Sequence, residues 1–132
     1  MNRRHLLVLT WLFLRRAGAD ERDDVLQVFV PLASALSSGD AEAFMKPIDP
    51  KMAGFEQLRD NVYGLIAQFE IKSSIELIRV EGGRAELDWY MELKGREDAG
   101  GAYERRKAIT ARFEKKRILS IEPIDFFAPV QV

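Results

Sequence analysis

No cysteine occurs among the 132 residues, and only one histidine, His5. The first absence removes disulfides, thiolate nucleophiles and thiolate metal sites from consideration, although a cysteine-free chain tolerates oxidising and reducing compartments alike. Long apolar runs are also missing. The apolar stretch at 6–14 ("LLVLTWLFL") is half of the roughly 20 residues a membrane-spanning helix requires. Repeats, linkers and low-complexity tracts are absent too, so a chain of this length reads as one domain with a single core. What remains is ordinary for a globular protein: 47% apolar and 31% charged residues.

The opening "MNRRHLLVLTWLFLRRAGAD" has the three parts of an export signal. Arg3, Arg4 and His5 form a basic head, 6–14 the apolar middle, and "AGA" at 17–19 a small-residue cleavage site. A first core helix is the competing assignment, and Arg15 and Arg16 just before the cut argue for it. "RRHLL" also resembles the core of a twin-arginine signal, a class that often carries a basic residue near its cleavage site. Twin-arginine and ordinary secretory export both stay open. Residues 1–19 are thus expected to be a signal peptide and 20–132 the mature domain, periplasmic or secreted. Cleavage after Ala19 removes four arginines and no acid, leaving 16 basic and 21 acidic residues, a net charge of −5. An acidic chain of this kind is a poor nucleic-acid binder. It would also hold no histidine, which excludes serine–histidine hydrolysis, histidine acid–base catalysis and the usual zinc sites. No stable membrane insertion is expected once the signal is gone.

From residue 24 onward helices come first and strands second. "DVLQVFVPLASAL" sets Val25, Val28, Phe29, Leu32 and Leu36 on one helical face, with Pro31 expected to kink that helix or shift its start. "SSGD" at 37–40 ends one helix at Gly39 and caps the next, "AEAFMK", with Asp40. "PIDP" at 47–50 closes that second helix. A third helix follows from Phe55, with Leu58, Val62, Leu65, Ile66 and Phe69 at helical spacing. Gly64 inside it costs roughly 1 kcal/mol relative to alanine, which hints at a close neighbour. The period then changes to two. "EIKSSIELIRV" ends at Gly82-Gly83, a hairpin turn. In "RAELDWYMELK", Ala85, Leu87, Trp89, Met91 and Leu93 face one way and charged residues with Tyr90 the other. A third strand is predicted from about Tyr103 to Lys115 and a fourth from about Ile118 to Phe127, with an edge or bulge near Pro123. This is an α+β pattern: three helices and a four-strand antiparallel meander, one sheet face under the helices and the other meeting water or a partner.

Over residues 24–129 the chain resembles the nuclear transport factor 2-like superfamily, including its SnoaL-like polyketide cyclases. The resemblance rests on the first apolar helix, "SGDAEAF", "GFEQLRDNVYGLIAQFE", "ELDWYMEL" and "IEPIDFFAP", all of them scaffold features. It implies N-terminal helices packed on a strongly curved four-strand sheet, a cone of the cystatin-like kind, often with a pocket at its wide end. Dimers are common in the superfamily, and a homodimer is the expectation here. Members range from isomerases, cyclases and epoxide hydrolases to non-catalytic binding domains, so fold does not give function. About eight residues separate the second and third helices, too few for the hairpin often found there.

Asp, Glu, Tyr, Lys and Arg are left for chemistry. Steroid isomerases of the superfamily need only carboxyls and a tyrosine in an apolar pocket, where burial raises a carboxyl pKa. Asp125, beside Phe126 and Phe127, and Tyr63 are the catalytic candidates on that view. Phe55, Val62, Ile66, Leu87, Trp89 and Met91 are the candidate lining of an apolar ligand pocket. Glu86, Asp88 and Glu92 form an acidic row beside Arg105, Arg106 and Arg112, which reads as cross-strand pairing before it reads as a metal site. No metal or cofactor is expected. The favoured role is non-catalytic: binding a small apolar ligand or a protein partner. The alternative is a cofactor-free lyase or isomerase built on carboxyl and tyrosine groups.

Overall fold

The computed structural model describes residues 2–96 and 101–130, with side chains from Asp20 onward. Helix α1 spans Asn2–Ser38, α2 Ala41–Met45 and α3 Phe55–Gln68. Strands β1 (Phe69–Glu81), β2 (Arg84–Gly95), β3 (Ala102–Glu114) and β4 (Arg117–Glu122) follow, and a 3-10 turn covers Ile124–Phe127. The strands form an antiparallel meander in the order β1-β2-β3-β4. Three helices packed on a curled sheet of this topology make the nuclear transport factor 2-like fold expected from the sequence.

Each element follows its local signal. Val25, Val28, Phe29, Leu32 and Leu36 are all buried on α1. The helix ends in a Schellman motif at Gly39: its N–H donates to the Leu36 carbonyl and that of Asp40 to the Ala35 carbonyl. Asp40 then caps α2, its carboxylate accepting from the Ala43 N–H at 3.0 Å. The β1–β2 turn is made by Gly82 and Gly83, both with positive φ, which suits a tight hairpin between right-twisted strands. On β2 the alternation is complete. Ala85, Leu87, Trp89 and Met91 are fully buried and Leu93 is 1% exposed.

Two expectations need correcting. Pro31 does not move the start of its helix, because α1 is continuous through it from Asn2 to Ser38. Pro31 is exposed, and so is Gln27, whose carbonyl the proline cannot satisfy, which leaves that group on the solvent side of the helix. β4 does not reach Phe127. It stops at Glu122, and the chain turns at Pro123 into the 3-10 segment that buries Phe126 and Phe127 under the sheet. The signal-peptide assignment falls on α1, but the side chains of 1–19, His5 included, lie outside the described residues.

The two sides of the sheet end differently. Along the β1 edge lies α1: the Ser37 hydroxyl accepts from the Ser73 N–H at 3.0 Å, and the Glu21 carboxylate from the Gly83 N–H at 3.1 Å. β4 is closed by Ile48, which bridges Ile118 in parallel. The eight or so residues between α2 and α3 supply that bridge and no hairpin.

Candidate functional site

The curled sheet and the helices enclose a concave interior. Phe44, Trp89, Phe126 and Phe127 meet there edge to face, with Phe127 5.1 Å from Trp89 and 5.5 Å from Phe44 between ring centroids. Such tilted arrangements set ring edges against ring faces and add to the gain from burial. The Trp89 indole N–H is satisfied by the Ser73 hydroxyl at 2.8 Å. No polar or charged residue is buried among the described residues.

The predicted pocket residues are therefore core residues. Val62, Leu87, Trp89 and Met91 are fully buried, while Phe55 and Ile66 pack against the same cluster from its margin. None of the six lines the cleft at the end of α1 or the one beside the Gly82-Gly83 turn. The catalytic candidates are not brought together in the interior. Asp125 is exposed at the 3-10 turn, its backbone carbonyl accepting from Ala128, and Tyr63 is 50% exposed on α3.

Three polar side chains hold the C-terminal segment against this core. Gln68 both donates to the Val130 carbonyl at 3.0 Å and accepts from the Val130 N–H at 2.9 Å. Asn61 donates to the Ile124 carbonyl at 3.4 Å and Arg105 to the Phe126 carbonyl at 2.8 Å. Gly64 has the close neighbour its sequence position hinted at: a β-carbon there would sit 2.7 Å from the Pro129 ring. Sequence spacing alone did not mark Arg105 for this role, since its partner is a backbone carbonyl beyond the strand.

Chemistry is concentrated on the outer face of the sheet. Asp88 takes a bidentate contact from Arg106, with oxygens 2.6 and 3.1 Å from the guanidinium. That hydrogen bond pulls the Asp88 carboxyl below its ordinary range and raises Arg106. Tyr90 donates to Glu92 at 3.0 Å, and this bond, with Glu104 nearby, pushes its phenol up to about 12. Asp88–Arg106 is the cross-strand pair expected of the acidic row, whereas Tyr90 and Glu92 share β2, Glu86 meets Arg79 of β1 and Arg105 turns to the Phe126 carbonyl. No metal-type cluster forms among the described residues.

The larger cleft, about 970 Å³, opens where α1 stops and reaches across the ends of β1, β2 and β3. Ser38, Lys94, Arg96, Tyr103 and Glu104 are among the residues that line it. Arg96 is fixed by donating from Nε to the Ile66 carbonyl at 2.9 Å. Tyr103, 43% exposed, rests edge-on against Phe69 at 5.6 Å. With both charge signs and one aromatic ring, the cleft can hold a polar or zwitterionic group. It lacks the desolvated carboxyl an isomerase requires.

Comparison with solved structures agrees on the fold. The chain superposes on a Delta 5-3-ketosteroid isomerase from Mycobacterium sp. with a TM-score of 0.62 at 13% identity, covering 74% of this chain and 89% of that one. A computationally designed 17-OHP binder matches with a TM-score of 0.61 at 14% identity, over 73% and 86% of the two chains. A candidate polyketide cyclase from Xanthomonas campestris matches with a TM-score of 0.59 at 10% identity, over 76% and 89%. No protein-family model and no curated protein matches the sequence. At these identities the likeness is one of architecture: the chain has the nuclear transport factor 2-like, SnoaL-like fold.

Proposed function

We propose that the chain is an exported, non-catalytic binding domain that engages its partner on its exterior and not in an enclosed apolar pocket. One observation carries the reading: the described interior is lined with aromatic and aliphatic side chains and contains no buried ionisable group. An isomerase or lyase without a cofactor works by placing a carboxyl where burial raises its pKa beside a proton donor. Here Asp125 and Tyr63 both face solvent. The likeness to an isomerase and to a designed binder supports a scaffold able to host either activity, and the filling of its interior favours the second. Export rests on the basic, apolar and small-residue segments of 1–19.

Native mass spectrometry of the chain recovered from an exporting cell tests both halves. A mass beginning at Asp20 without a small molecule is expected. An intact Met1 start would overturn export, and a retained apolar ligand would overturn the exterior-binding reading.

A further inference from the structure

β1 has α1 beside part of its outer edge and β4 is bridged at Ile118, and β3 adds a further stretch of edge. β4 pairs with β3 only from Thr110 to Glu114. From Ala102 to Ile109 no described strand lies on the far side of β3, and every residue from 102 to 108 except Arg105 is exposed. Such a row of unpaired backbone groups is a template for another strand. Arginine and lysine on an edge ordinarily discourage that pairing, yet this edge also carries Glu104.

We propose that this edge pairs antiparallel with the same edge of a second copy, centred on Arg105, to give one continuous eight-strand sheet. An antiparallel joint between identical edges has its twofold axis perpendicular to the sheet, so residues from the same face meet. Register with β2 puts Ala102, Glu104, Arg106 and Ala108 on the outer face, opposite Lys94, Glu92, Tyr90 and Asp88. Centring on Arg105 then sets Glu104 of each copy against Arg106 of the other, and Ala102 against Ala108. On the inner face Tyr103 meets Lys107, an aromatic ring against a cation. The neighbouring registers are worse: centring on Glu104 or Arg106 juxtaposes like charges on the outer face with nothing to draw them apart. The Arg105 pair at the axis is relieved, because each guanidinium is turned onto its own Phe126 carbonyl at 2.8 Å. The joined segment also ends before Thr110, where β4 takes over the edge.

The joint changes the larger cleft. Ala102, Tyr103 and Glu104 line it, so the second copy would place its Lys107 and Arg106 at that rim and make the site composite. Nothing in this depends on export or on the absence of catalysis.

Charge variants test the pairing. Wild type should dimerise reversibly through the micromolar range in sedimentation velocity. Glu104→Arg alone and Arg106→Glu alone should each weaken the dimer by about tenfold or more, because both create two like-charge pairs. Their equimolar mixture should recover a heterodimer, since the opposite charges then meet. A second experiment does not depend on those variants folding: Ala102→Cys and Ala108→Cys chains, otherwise free of cysteine, should cross-link to one another under mild oxidation. A wild type monomeric at the highest soluble concentration overturns the proposal. So does a dimer unaffected by the charge variants, or a mixture of the two cysteine chains that fails to cross-link.

Discussion

Within β2, adjacent residues live in different solvents. Leu87, Trp89 and Met91 are fully buried beneath the helices. Glu86, Asp88 and Tyr90, one position over, lie on the outer face, where they meet Arg79, Arg106 and Glu92. The inner face is held by volume: rings and branched chains fill the space under the helices, and each lost methylene is felt. The outer face is held by charges that remain in contact with water, where a pair contributes little. A fold that places its stability on one face is free to use the other for recognition. The flanks of the sheet differ too: α1 reaches Ser73 and Gly83 through Ser37 and Glu21, whereas no described strand pairs with β3 from Ala102 to Ile109 on its far side.

Substitutions can widen or collapse that contrast. Trp89→Ala should have the largest effect, lowering unfolding free energy by about 3–5 kcal/mol in urea titration. Glu86→Ala, three residues away on the opposite face, should stay within about 0.5 kcal/mol. Equal losses would mean that the outer face is structural after all. Gly64→Ala comes next. Alanine gains about 1 kcal/mol of helix propensity in isolation. Because its β-carbon would meet Pro129, the protein should instead lose about 1–3 kcal/mol from overpacking.

Gln68→Ala should cost about 1–2 kcal/mol for two bonds to one backbone unit. It should also speed amide exchange at Val130 while leaving the strands protected. Smallest is Asp88→Asn. The Asp88 carboxyl lies below its ordinary value of 3.8 in the folded chain, so its contribution is present above that value. It is lost as pH falls through the lowered one. The variant should therefore lose this small contribution at pH 7, converge with wild type below the lowered value and flatten the acid limb of the stability profile.

The order of elements, the face each strand buries and the caps at Gly39 and Asp40 were legible in the sequence because they are local. Periods of 3.6 and 2 report which side chains share a face, and a cap is decided within four residues. The candidate pocket was not legible in the same way. Phe55, Val62, Ile66, Leu87, Trp89 and Met91 do face inward, as their spacing says, but spacing cannot report whether the space between them is empty. That was decided by Phe126 and Phe127, which reach the interior because the chain leaves the sheet at Glu122 instead of continuing as a strand. It was also decided by Asn61, Gly64, Gln68 and Arg105, which hold the returning segment from elements distant in sequence.

By itself, then, the sequence determined an α+β meander with an apolar face and a charged one, since alternation is a property of neighbours along the chain. Only the tertiary structure decided that the interior is occupied by the protein's own aromatic rings and that part of β3 is left uncovered. Both depend on where the chain leaves the sheet after Glu122. That is a matter of long-range packing, which no local period encodes.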